Sequence, residues 1–278
     1  MFALALLLAA ADVSFFTERA LFVPALANPR SPELGVEMRL TTPFDNFTAT
    51  AGARMPLVTL GLATQAFQIG LDGAVWTELG REHRGIYFPV FTADYQISVP
   101  LMWRRGDWSA EAMLSHISAH RADGFEGPFP LTASGQPRGV FRYSREFVQV
   151  SLSRDIRAGS FALRAYAMAG YVVRVAPADL KRAMVGGGFE LTAPTLARAV
   201  APYGALDATY NEDTATVDVA AQLGVWLAPS ARARVQTRFA LGFYSGSDRR
   251  GQQVGIGRER FGIGFYFRFT DPPLLPLL

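Results

Sequence analysis

The chain contains no cysteine and a single lysine, Lys181, among its 278 residues. Without cysteine there is no disulfide framework, no thiol nucleophile and no cysteine-ligated metal. Half of the residues are hydrophobic, yet no apolar run approaches the roughly 20 residues that a membrane-spanning helix needs. The formal charge is only +3. The arginines are scattered rather than gathered into one patch, so no nucleic-acid partner is expected. Apolar residues are therefore spread along the chain, and their spacing sets the class.

Phe2 to Ala10 is apolar and runs into Ala9-Ala10-Ala11 ahead of Asp12. This pattern fits a signal-peptide core with a small-residue cleavage site. The basic residue expected ahead of the core is missing, which would fit a start further upstream; a buried N-terminal segment is the other reading. The expected organisation is a signal peptide over 1–11, an N-terminal periplasmic segment over 12–32, a β-barrel over 33–270 and a C-terminal tail over 271–278.

From there on, alternation at period two dominates. In Phe91 to Arg104, Phe91, Ala93, Tyr95, Ile97, Val99, Leu101 and Trp103 lie on one face, opposite Thr92, Asp94, Gln96, Ser98 and Arg104. Successive side chains alternate faces only in an extended strand. About twelve such segments can be drawn, at 33–42, 46–60, 64–79, 88–104, 107–120, 141–156, 159–175, 182–193, 198–211, 214–227, 231–245 and 252–269. They are about twice the length of ordinary sandwich strands. Their connections alternate between short (around Gly61, Gly106 and Gly159, and over 228–231) and mostly longer, above all 121–140. Long alternating strands in even number, joined by short and long turns in alternation, define an all-β fold. It is a transmembrane antiparallel up-and-down β-barrel of about twelve strands, in the outer membrane of a Gram-negative bacterium. Outer-membrane lipids are then its surroundings. Arg260 to Phe267 resembles the C-terminal signal read by barrel-assembly machinery. Nothing in the sequence sets an oligomeric state.

The polar face carries Asp72, Glu78, Asp94, Arg164, Arg174, Glu190, Asp207, Asp218, Arg232, Arg234, Arg238, Arg258 and Arg260. Charges in a narrow, partly dehydrated lumen must pair. Their mixed sign favours an ionic plug over the other reading, a narrow arginine-lined channel. Gly186-Gly187-Gly188 lies inside a strand and marks a bend or a close backbone approach. Gly255-Ile256-Gly257 lacks the third glycine and the helix of a dinucleotide loop.

Several stretches in order resemble a bacterial outer-membrane family known as domain of unknown function twelve-oh-seven. They are Ala20 to Arg30, Ala93-Asp94-Tyr95, Ser115 to Asp123, Tyr143-Ser144-Arg145-Glu146, Pro202 to Asp207 and Gly262-Ile263-Gly264. Where the family prefers Ser and Gly, this chain has Ala119 and Ala122. The resemblance implies export and a barrel but no activity. It draws attention to Asp94, His120, Asp123, Tyr143, Ser144 and Arg145.

One hairpin suggests chemistry. Alternation carried through 108–120 without a bulge puts His116, Ser118 and His120 on the lipid-facing side, near the external end. Polar groups facing lipid are costly and invite a functional explanation. On the next strand Val148, Val150 and Leu152 mark the same side, and their parity reaches back to Glu146 and Ser144. A hairpin through 121–140 brings Glu146 beside His116. Ser118 as nucleophile, His116 as its base and Glu146 as the group orienting that base then form a possible catalytic set. A bulge would instead turn His116 and Ser118 inward, to bond with lumen charges. The outward arrangement is similar to that of outer-membrane phospholipase A, which has His-x-Ser on one strand and Asn on the next; here Glu146 stands in for the Asn. That similarity implies a surface lipid acyl hydrolase. No cofactor is identifiable, and calcium enters by analogy only. His116 and His120, roughly 13 Å apart at 3.3 Å per residue, are too far apart to share one ion.

Overall fold

The computed structural model describes residues 12–40, 45–83, 85–122, 136, 139, 141–196, 200–227 and 235–269. The expected signal peptide, the tail after 270, Asp123, Arg232 and Arg234 lie outside the described residues. A short strand β1 (Asp12–Phe15) precedes β2 (Leu34–Arg39), β3 (Asp45–Gly61) and β4 (Ala66–Gly80). A small hairpin, β5 (Glu82–His83) and β6 (Ile86–Tyr87), leads to β7 (Val90–Arg105), β8 (Trp108–Arg121), β9 (Tyr143–Ala158) and β10 (Phe161–Ala176). Then come β11 (Ala183–Thr192), β12 (Val200–Asn211), β13 (Thr216–Leu227), β14 (Gln236–Ser247) and β15 (Gly257–Arg268). Apart from β1, β5 and β6, each strand pairs antiparallel with its neighbours in sequence, and β15 closes onto β2. The result is a closed twelve-stranded barrel.

Alternation explains the closure. On β8, Glu111, Met113, Ser115, Ile117 and Ala119 are buried, whereas Ala112, Leu114, His116 and His120 are exposed. The outside of neighbouring strands is a belt of Tyr95, Ile97, Val99, Leu101, Val148, Val150 and Leu152, all exposed. A soluble protein rarely leaves so wide an apolar surface open, whereas a transmembrane barrel requires one. Trp108 and Phe161 stand exposed at the short-turn end, and Tyr171 near the opposite end. Gly188 sits where a Cβ would collide with the Leu206 carbonyl and the Tyr166 hydroxyl, so the triple glycine serves close backbone approach.

Residues 12–32, expected as an N-terminal periplasmic segment, run partly along β3 and partly into the lumen. β1 adds to the lower edge of β3, with Phe15 opposite Val58, and β2 joins the same edge higher up, with Gly35 opposite Thr50. That gap on β3 is about 26 Å at 3.3 Å per residue. Residues 16–33 are more than twice the chain needed to cross it, and the surplus turns into the lumen. There Leu26 N donates to Glu190 Oε1 at 2.7 Å, Asn28 Nδ2 to Asp207 Oδ2 at 3.3 Å and Arg30 Nη2 to Asp94 Oδ2 at 2.7 Å. Arg54 donates to the Phe22 carbonyl (2.7 Å) and Arg268 to that of Pro24 (2.8 Å). Leu26 and Ala27 pack on Tyr203, Trp226 and Tyr266. Backbone groups taken into a barrel need partners, and the charged strands supply them.

The β14–β15 connection enters from the other end. Gly251 N donates to Asp94 Oδ2 (3.0 Å), and Gln252 Nε2 to the carbonyls of Ala119 (3.0 Å) and Phe141 (2.8 Å). Asp248 binds Arg250, Arg258 and Arg260 at 2.8, 3.0 and 2.7 Å. Burial alone would raise the Asp248 carboxyl, but Arg250 and Arg258 outweigh it and hold the group below the usual carboxylate range. Cavities of about 170 and 130 Å³ lie in the lumen, lined in part by the N-terminal segment. The lumen is a plug of paired charges.

Candidate functional site

β8 runs from Trp108 to Ala119 against β9, and through Arg121 against β7, with no register shift on either side. No bulge intervenes, and His116, Ser118 and His120 face outward. His116 is directly opposite Glu146 on β9, and Nδ1 lies 3.8 Å from Glu146 Oε1. Ser118 is flanked by Ser144 on β9 and Tyr95 on β7. The Tyr95 and His120 rings meet edge to face with centroids 5.6 Å apart, which gives the site an aromatic wall beyond Ser118.

Because Nδ1 faces the carboxylate, Nε2 is the His116 nitrogen left for proton transfer. His116 and Ser118 share a face two residues apart, about 6.6 Å along the strand. Ser118 is half-buried on this face.

The sequence-derived set therefore divides. His116, Ser118, His120, Ser144 and Glu146 stand on the outer face. Asp94, Tyr143 and Arg145 stand inside. Asp94 is fully buried and holds Arg30 and Gly251. Arg145 lies 5.9 Å from the Tyr143 ring centroid and pairs with Asp213. These three fix the lumen.

Arg174, placed in the lumen by simple alternation, belongs outside. β10 carries a bulge between Val172 and Arg174 in its pairing with β9. Val172 is fully buried, whereas Val173 and Arg174 are both exposed, because the extra residue reverses the parity. Arg174 is thereby opposite Glu146, with Nη1 3.6 Å from Oε1, and its side chain is 75 % exposed. His116, Glu146 and Arg174 form a row across three strands. The run Tyr171-Val172-Val173 breaks the apolar–polar alternation just before Arg174, and that break was the available signal. Among the described residues no three His, Asp or Glu side chains converge on a metal-binding geometry.

Fold and site together define a transmembrane β-barrel with a packed ionic lumen and a polar row on its outer face. The chain belongs to the family described as Protein of unknown function (DUF1207), which it matches over residues 5–269. No curated protein matches it. Among solved structures it is similar to the outer-membrane phospholipase of Salmonella typhi, a dimer with bound calcium, at 12% identity and TM-score 0.50 over 88% of this chain and 94% of that one. It is similar to outer-membrane phospholipase A from Escherichia coli at 14% identity and TM-score 0.50 over 91% and 95%. The β-domain of the Bordetella autotransporter BrkA follows at 10% identity and TM-score 0.45 over 86% and 98%. At these identities the likeness is one of fold.

Proposed function

We propose that this barrel sits in a bacterial outer membrane and hydrolyses acyl esters of the surrounding lipid. Ser118 is the nucleophile, His116 the general base and Glu146 the group that orients it. The observation that carries this reading is the outward His116–Glu146 pair, at 3.8 Å and in direct cross-strand register, with Ser118 one pleat away. Ser118 Oγ attacks the ester carbonyl carbon while His116 Nε2 takes the hydroxyl proton. The adduct collapses, the bond to the glycerol oxygen breaks, and that oxygen leaves with the proton from His116. Water then attacks the acyl-serine by the same route and releases the fatty acid. Glu146 holds the ring and stabilises the imidazolium formed in each step. The calcium of the similar phospholipase finds no cluster of ligands among the described residues here, and no step is routed through it. The C-terminal strand β15, ending Phe265-Tyr266-Phe267-Arg268, is the segment we assign to recognition by barrel-assembly machinery.

Purified, refolded barrel should release fatty acid from phospholipid micelles. Ser118→Ala should reduce release to background while keeping the heat-modifiable gel migration of a folded barrel. Wild-type protein inactive across calcium concentrations and detergents would refute the assignment. The plug favours one other reading, a structural barrel without chemistry, over a channel.

A further inference from the structure

We infer that Arg174 anchors the phosphate of the lipid headgroup, so that the substrates of this site are phosphate-bearing glycerolipids rather than neutral acylglycerols. The inference rests on the acyl-hydrolase reading of Ser118 and His116. Its starting point is the β10 bulge: without it, Arg174 would point into a lumen already filled with paired charges. One extra residue between Val172 and Arg174 re-aims the guanidinium to the outer face. Bulges of this kind commonly redirect a side chain next to a functional site.

Glu146 does not exhaust what the guanidinium can do. The contact is a single one, Nη1 to Oε1 at 3.6 Å, and the same Oε1 faces His116. With a side chain 75 % exposed, the remaining N–H donors face the surroundings, and a guanidinium fork matches a phosphate better than a single carboxylate oxygen. A charge on the lipid side of a barrel is tolerated only at headgroup level. Arg174 is two residues from the end of β10, which puts it there.

The spacing suits one lipid molecule. Arg174 and Ser118 are two strands and two residues apart, about 12 Å between Cα atoms from a strand spacing near 4.8 Å and a rise near 3.3 Å. An extended arginine covers much of that distance. The few bonds between the ester carbonyl and the phosphate of a glycerophospholipid cover the rest. A phosphate on Arg174 thus leaves an ester carbonyl within reach of Ser118 Oγ, with the acyl chain lying along Leu114, Val148 and Val150.

The test compares dioctanoylphosphatidylglycerol with dioctanoylglycerol, on wild type, Arg174→Gln and Arg174→Lys. Arg174→Gln should lower the phospholipid-to-diacylglycerol ratio of kcat/KM about ten-fold, chiefly through KM, the scale of one charge-assisted bond. Arg174→Lys should keep most of the ratio. A proportional fall on both substrates would mean that Arg174 acts only through Glu146, and it would overturn the inference. An unchanged ratio would overturn it too. Native mass spectrometry of Ser118→Ala barrel with the same two lipids supplies a readout independent of turnover. Preferential retention of the phosphatidylglycerol, lost with Arg174→Gln, supports the anchor even if no hydrolysis is found. Equal retention of both lipids refutes it.

Discussion

Glu33 offers the sharpest test of how the plug is held. Its carboxylate accepts from Arg238 Nη2 through both oxygens at 2.6 Å and from Arg268 Nε at 3.2 Å. Arg238 is completely buried and also donates to Tyr203 Oη (2.9 Å) and Gln222 Oε1 (2.6 Å), with its guanidinium 4.1 Å from the Tyr266 ring centroid. Those neighbours satisfy donors but do not neutralise the charge. Glu33→Leu therefore leaves two buried guanidiniums without a carboxylate, a loss of about 3–5 kcal/mol by the measured cost of orphaning a buried charge. With a slope of about 2–3 kcal/mol per molar, that moves the urea midpoint of the barrel in lipid vesicles down by about 1–2.5 M. Arg238→Met should cost a similar amount, since it removes the buried carboxylate's main partner. The double variant should fall short of the sum by at least about 1 kcal/mol, because both singles remove the same interaction. A single variant with an unmoved midpoint, or strictly additive losses, would refute the claim that this pair holds the plug.

Two further outcomes follow from the same interior. Removing residues 17–32 should convert a barrel that is silent in planar-bilayer recordings into a conducting one, with little change in its strand content by circular dichroism. A wild-type barrel that conducts as well as the deletion variant would sink this prediction. The 248–256 connection should be pH-sensitive in one direction only. Asp248 is held below the carboxylate range by Arg250 and Arg258 against the effect of burial, so its contribution is present above its unfolded value, near 3.9, and lost as pH falls through the lower folded one. Hydrogen exchange should find this connection protected from pH 7 to about 4 and released below that range. In Asp248→Asn the protection should already be lost at pH 7; equal protection of both proteins would contradict the reasoning.

The twelve strands were legible because each is long enough for period two to repeat many times, and a one-residue error would put every side chain on the wrong face. The same property made the His116–Glu146 register readable from parity and hairpin logic alone, although most of the intervening loop lies outside the described residues. Two features escaped. The bulge at Val172/Arg174 is a local change of count, and its one trace, the apolar run Tyr171-Val172-Val173, is too short to say which side Arg174 takes. The other is the entry of the N-terminal segment into the ionic plug, which has no period at all, since residues 20–33 contain Pro24, Pro29 and Pro32, which reads as a loop. Its partners are distant: Leu26 bonds a carboxylate 164 positions away and Arg30 one 64 positions away. Contacts at such separations leave no mark in local spacing.

The interior and exterior obey opposite rules, and that contrast is the ground for the chemistry proposed above. Inside, nearly every arginine described above meets a carboxylate, so charge there explains itself through pairing. Outside, β7, β8 and β9 present Ile97, Val99, Leu101, Leu114, Val148, Val150 and Leu152 to lipid, and pairing is not the general theme. A polar residue at the last position or two of a strand would need no explanation beyond the water above it. His116 is five positions below the end of β8, and Glu146 is directly across from it on β9. Neither stabilises the barrel in the way the lumen pairs do, since both side chains are more than a third exposed and such pairs contribute about 0–1 kcal/mol. An arrangement with so little return in stability supports the proposed role, and Ser118 is the one hydroxyl on β8 that shares this outer face.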